Sequence, residues 1–211
     1  MKPLVAQGDV VSLYVSGIDA VVAFTESLDE EQWGSRCCGA WSATILAHHL
    51  VGVVGWYNEW LDRALVGTAT PPFPRADLDR RATDALVAHF GLAGPEAIAL
   101  FAERAREYLS RTRASWDLPY GYPLGTITTG LHLGVAACEW HLHAWDFSGL
   151  TDERHIPYRR PEDPRLLHLA SGDAIAATKG APARQYTRAV LRATADAHPW
   201  TTIVRRSGRR T

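Results

Sequence analysis

The stretch "TITTGLHLGVAACEWHLHAWDF", residues 126–147, sets the architecture of this chain. It contains no proline and no strict apolar–polar alternation, and at 22 residues it spans about six helical turns. Its first half is small and apolar, as befits a buried helix. Its second half gathers Glu139, His141, His143 and Asp146, so an otherwise apolar segment ends in four ionisable groups. We read one long helix from Thr126 to Phe147.

Outward from that helix, the rest of the chain also reads as helices. Apolar positions Tyr14, Ile18, Val21, Val22 and Leu28 recur at helical steps, giving a first helix from Asp9 to Leu28. "SRCCGAW" interrupts, and Ser42 then caps a helix whose stripe runs Ile45, Leu46, His49, Val53, Trp56 and Trp60 as far as Val66. "TATPPFP" is a proline break. A short helix over 77–90 ends at "GLAGP", where Pro95 suits the first turn of another helix running to Arg113. "DLPYGYPLGT" reads as a loop. Beyond Gly149 the chain loosens before helices near 164–178 and 182–197, with an extended piece at "TTIV". Nothing alternates long enough to support a sheet. The expected fold is all-α: an up-and-down helical bundle with additional C-terminal helices.

Composition sets the outer bounds. With 211 residues, 46% hydrophobic and 21% charged, the chain has material for about one domain and is not disordered by composition. A net charge of -1 offers no footprint for nucleic acid or anionic lipid, and the basic tail "VRRSGRRT" is too short to change that. No secretory pattern opens the sequence, and no apolar run reaches the roughly 18 residues of a membrane span. Cys37, Cys38 and Cys138 make no disulfide framework and no Cys-x-x-Cys spacing; they read as reduced thiols of a cytoplasmic protein, small core or loop residues.

Glu139 and His143 lie four residues apart, on one helical face, where a carboxylate oxygen and an imidazole nitrogen can meet at one ion. "WSATILAHHL" supplies a third ligand, His48 or His49. His49 shares the inward stripe, so it is preferred. Two histidines and a carboxylate leave coordination positions open, a catalytic pattern that suits zinc but also nickel, iron or manganese. The competing reading is an ordinary helix-surface pair beside a satisfied histidine. His132, seven residues before Glu139 on the same face, would either line the space above the ion and move a proton or be a polar residue near the helix start. His141 is expected to face away, at a surface or interface, and Trp140 beside it to suit a dimer seam. Asp146 would orient a ligand or cap a turn.

These residues resemble a known family. "CGAWSATILAHHL" is similar to the Cys-x-x-Trp-Ser/Thr stretch leading to His-Leu in the mycothiol-dependent maleylpyruvate isomerase family, a branch of the DinB-like metalloproteins. "EWHLHAWDFSGL" resembles its Glu-x-x-x-His-x-Trp-Asp signature, and "WTTIVRRSGRR" its closing tail. The resemblance implies a four-helix bundle over 1–150, with 151–211 a helical extension packed on the same domain. It implies a divalent metal, zinc by preference, on His49, Glu139 and His143. It also implies a low-molecular-weight thiol, mycothiol, adding to a small electrophilic substrate in an isomerase or transferase. His48 departs from the small residue commoner at its position, which leaves a swap with His49 open. The short C-terminal region weakens transfer of the maleylpyruvate specificity. Arg205, Arg206, Arg209 and Arg210 would meet an acidic substrate only if the tail folds over the site. A thiol-independent metal hydrolase or biosynthetic enzyme, and a non-catalytic dimeric bundle, are the other classes.

Overall fold

The computed structural model describes residues 5–38, 40–123 and 125–150. The expected C-terminal helices, the "TTIV" piece, the arginine tail and the domain segment 151–211 lie outside the described residues.

The chain is mostly helical, with α1 (Gln7–Thr25), α2 (Glu30–Gly34), α3 (Ala43–Leu65), α4 (Leu78–Val87), α5 (Gly94–Ala114) and α6 (Thr129–Ser148). The four long helices, α1, α3, α5 and α6, pack around one core, α1 chiefly on α6 and α3 chiefly on α5. The first helix ends at Thr25 rather than Leu28. Asp29 and Gln32 then form a reciprocal capping box that starts the short α2, which the apolar periodicity did not reveal. Ser42 caps α3 as expected, accepting from the Ile45 amide at 3.3 Å. Pro95 sits in the first turn of α5.

Two hairpins correct the expectation of no sheet. β1 (Arg36–Cys38) pairs with β2 (Trp41–Ser42), and β3 (Pro119–Tyr122) pairs antiparallel with β4 (Gly125–Thr128). They fall mostly in segments that read as loops, because strands of two to four residues are too short to show a period. The second hairpin takes the first residues expected of the long helix, which instead starts at Thr129 with Thr128 accepting from the Leu131 amide. Gly125 turns it with a φ of 142°, a conformation glycine adopts without strain.

The core explains the all-round burial of α6. Leu13, Tyr14 and Ile18 of α1, Leu46, Leu50 and Leu61 of α3, and Phe101 and Tyr108 of α5 are buried, as are Leu133, Trp140 and Phe147 of α6. Each such side chain contributes about 1.5–3 kcal/mol of apolar burial. α1 is long and apolar enough to cross a membrane by length and composition, yet its apolar side is spent on this core. Gly17 lets α1 and α6 approach closely, since a Cβ there would stand 2.8 Å from the Trp140 Cβ. Trp140 is fully buried, its ring 4.8 Å from Phe101 in an edge-on contact, so it offers no dimer seam. His141 is likewise buried against α1, with Nε2 2.9 Å from the Leu13 carbonyl, and not at a surface. Helical spacing gave its direction relative to Glu139; it could not show that α1 covers that direction too.

Candidate metal centre

The site forms where α3, α6 and the first hairpin meet. His49 stands two turns into α3 behind its Ser42 cap. Glu139 and His143 stand one turn apart on the second half of α6. The Nε2 atoms of His49 and His143 both face one oxygen of Glu139, Oε1, at 3.3 Å and 3.2 Å. The two imidazole rings meet edge to face, 5.0 Å between centroids. His143 is closed off from solvent, while the Glu139 side chain is 23% exposed, so the group opens on the carboxylate side.

The protonation pattern tests whether these residues suit a cation. The Asp146 carboxylate lies 2.9 Å from Nδ1 of His143. An ionised carboxylate only accepts, so Nδ1 carries the proton, and a neutral His143 turns the lone pair of Nε2 towards Glu139. Nε2 then faces the Glu139 oxygen at 3.2 Å, a separation that a cation between the two atoms, proton or metal, would satisfy. The separations also suit one. Bonds of about 2.0–2.1 Å around a tetrahedral zinc put neighbouring ligand atoms about 3.3–3.4 Å apart. The ligand atoms of His49, Glu139 and His143 all lie within 4.8 Å of one another, a group that could hold a metal. The residues present fit the ion that the sequence suggested.

His48 does not compete for this place. Its Nε2 lies 2.8 Å from the Leu92 carbonyl and its ring packs on Phe90, so it ties α3 to the turn after α4. Asp146 faces Nδ1 of His143 at 2.9 Å, the contact that one of its two expected roles calls for.

His132 takes a different position from the one expected of it. It is fully buried, two turns above Glu139, with Nδ1 2.8 Å from the Tyr108 hydroxyl. The rings of Tyr57 and Tyr120 lie 4.4 Å from its own, and that of Tyr122 5.3 Å. Burial pushes its pKa down to about 3, so it is neutral. Its Nε2 has no hydrogen-bond partner among the described residues. The histidine thus stands behind a wall of tyrosines rather than over the metal group.

Residues that the sequence did not single out complete the surroundings. Burial, with the Glu139 charge adding to it, pushes Tyr122 up to about 12 and raises Tyr57 as well, so both remain phenols beside the carboxylate. Trp41 packs 5.0 Å from the His49 ring. Cys38, read as a small core or loop residue, has its Sγ within 4.8 Å of ligand atoms of His143 and Asp146. Helical spacing alone could have flagged Tyr57, eight residues beyond His49 on one stripe. Tyr122 and Cys38 arrive on hairpins, where no period announces them.

A mostly helical domain with a candidate His–Glu–His metal group defines the class: a helical-bundle protein of the DinB-like type. Residues 15–148 match the mycothiol maleylpyruvate isomerase N-terminal domain, and the chain belongs to that family. No curated protein and no solved structure matches it.

Proposed function

We propose that this protein is a metal-dependent enzyme that uses a low-molecular-weight thiol, mycothiol, on a small electrophilic substrate, as an isomerase or S-transferase. The reading treats the four long helices as an up-and-down bundle, residues 1–150 as the metal-binding domain, and His49, Glu139 and His143 as the ligands. The observation that carries it is the convergence of both Nε2 atoms on Glu139 Oε1, with His143 fixed from behind by Asp146. Zinc is the preferred ion; nickel, iron and manganese accept the same donors. When bound, such an ion supplies a charge that lowers the pKa of a thiol at an open position, making it a nucleophile for a conjugated double bond at neutral pH.

The chain's own residues supply the setting. Asp146 would hold His143 in the tautomer that turns the Nε2 lone pair towards the ion. Trp41 limits rotation of the His49 ring by packing on it. Glu139 offsets one unit of cationic charge from the exposed side. Tyr57 and Tyr122, kept as phenols, line the Glu139 side with neutral groups. His132 packs on both of those rings and holds the Tyr108 hydroxyl, a positioning role. We place the enzyme in the cytoplasm, acting on small molecules without nucleic-acid or membrane partners; a homodimer remains part of the reading without Trp140 as its seam.

Elemental analysis of purified protein, followed by mycothiol titration of the metal-loaded form, tests this. Stoichiometric metal lost in His143→Ala, with saturable mycothiol binding, is expected. Metal without thiol binding favours a hydrolase using metal-bound water. A protein that holds no metal is a non-catalytic bundle.

A further inference from the structure

His143 has two nitrogens, and the structure gives each its own set of neighbours. Nε2 faces Glu139 and, through it, His49. Nδ1 faces Asp146. On this second edge Cys38 joins them, its Sγ, a His143 nitrogen and an Asp146 oxygen all lying within 4.8 Å of one another. The two groups share His143 and nothing else. Cys38 is half-buried on the first hairpin, so the approach is not sealed. Its neighbour Cys37 is pushed up to about 12 by burial, with the Asp146 charge adding to it, and so stays a thiol near the same carboxylate.

We propose that Cys38, Asp146 and the Nδ1 edge of His143 form a second cation site, one that takes thiophilic divalent ions such as cadmium and competes with the His49–Glu139–His143 group for the same imidazole. The donor set differs in kind. A thiolate and a carboxylate offset both charges of a divalent ion, and sulfur favours soft ions over the oxygen and nitrogen donors of the first group. The competition follows from proton accounting. A neutral imidazole has one N–H and one lone pair. For an ion to bind at Nδ1, the ring proton moves to Nε2 and the Cys38 proton leaves to solvent, while Asp146 is already ionised. Nε2 then has no lone pair for the first group. As long as the ring keeps its proton, filling the second site withdraws Nε2 from the first, and a thiophilic ion displaces the first by tautomer capture rather than by simple substitution.

The binding step rests on the geometry alone; only the competition rests on the proposed metal function. Metal-free full-length protein titrated with cadmium is expected to develop an ultraviolet thiolate-to-cadmium charge-transfer band. Cys38→Ser is expected to abolish that band, while Cys37→Ser, Cys138→Ser and His49→Ala retain it. Zinc-loaded protein is expected to release zinc to a chromogenic chelator as the band grows. The absence of a band in the wild type, or its survival in Cys38→Ser, overturns the site. Its loss in His49→Ala places the sulfur in the first group and overturns it equally. Formation of the band with zinc fully retained overturns the competition. A wild type that holds none of zinc, nickel, iron or manganese but still forms the Cys38-dependent band sinks the proposed function and leaves this site standing.

Discussion

Asp146 holds His143 from behind, Oδ2 to Nδ1 at 2.9 Å, one turn from the Glu139 oxygen that faces the opposite nitrogen of the same ring. The sequence places these three residues within a single stretch of α6, so the helix itself aligns the imidazole between the two carboxylates. Asp146→Asn keeps the size of the side chain but can present its amide N–H to Nδ1, which favours the tautomer with the proton on Nε2. We expect metal affinity to fall about 10–100-fold. Competition against a chelator of known affinity measures it, and an unchanged constant would show that Asp146 has no role in ligation.

Adjacent histidines on α3 should separate cleanly. His49→Ala removes a nitrogen 3.3 Å from Glu139 and is expected to abolish stoichiometric metal while leaving the helical signal in place. His48→Ala leaves the Leu92 carbonyl without its buried donor, which costs about 1–3 kcal/mol of stability. That variant is expected to unfold at lower urea with its metal content intact. Elemental analysis beside urea melts reads both, and metal loss in His48→Ala alone would exchange the two roles.

Much of this was legible from residue pattern, and the limits are physical. Helix α3, its Ser42 cap and the inward turn of His49 follow from a 3.6-residue period, which long helices display over several turns. The pairing of Glu139 with His143 follows from the same geometry. What the period cannot report is what lies opposite each face. His141 and Trp140 point away from Glu139, which on a surface helix means solvent; here α1 and α5 occupy that side. His132 shares a face with Glu139, but the β3–β4 hairpin brings Tyr120 and Tyr122 across it. Those strands are too short to declare themselves, and with them went the placing of Cys38 beside Asp146.

Close approach of α1 to α6 gives a prediction about packing. A methyl at position 17 would stand 2.8 Å from the Trp140 Cβ and 3.2 Å from the His141 ring. Neither neighbour can yield easily, since Trp140 is wedged against Phe101 and the His141 nitrogen lies 2.9 Å from the Leu13 carbonyl. Gly17→Ala is a good helix former at an exposed site, worth up to about 1 kcal/mol of added stability. At this contact we expect the opposite sign, a loss of about 1–3 kcal/mol from overpacking. Gly8→Ala, where nothing lies within 4 Å of the added carbon, is the control and should not destabilise. Equal melting of the two variants would remove the close-contact account.

The buried imidazole of His132 makes stability depend on acid in a defined direction. Its folded pKa is about 3 because burial penalises the charged ring, whereas the unfolded chain offers an ordinary histidine near 6.5. Between those values the unfolded state binds a proton that the folded state refuses. The contribution is therefore complete above about pH 6.5 and is lost as pH falls towards 3, with a slope of up to about 1.4 kcal/mol per pH unit. His132→Phe removes the titrating group while filling the tyrosine box. It leaves the Tyr108 hydroxyl without that nitrogen, a cost of about 1–3 kcal/mol that does not vary with pH in this range. Urea melts of wild type and variant from pH 7 to pH 4 should therefore converge as acid is added, the wild type losing stability faster. Parallel curves would mean that His132 titrates as an exposed histidine does, and that the tyrosines do not shut water out.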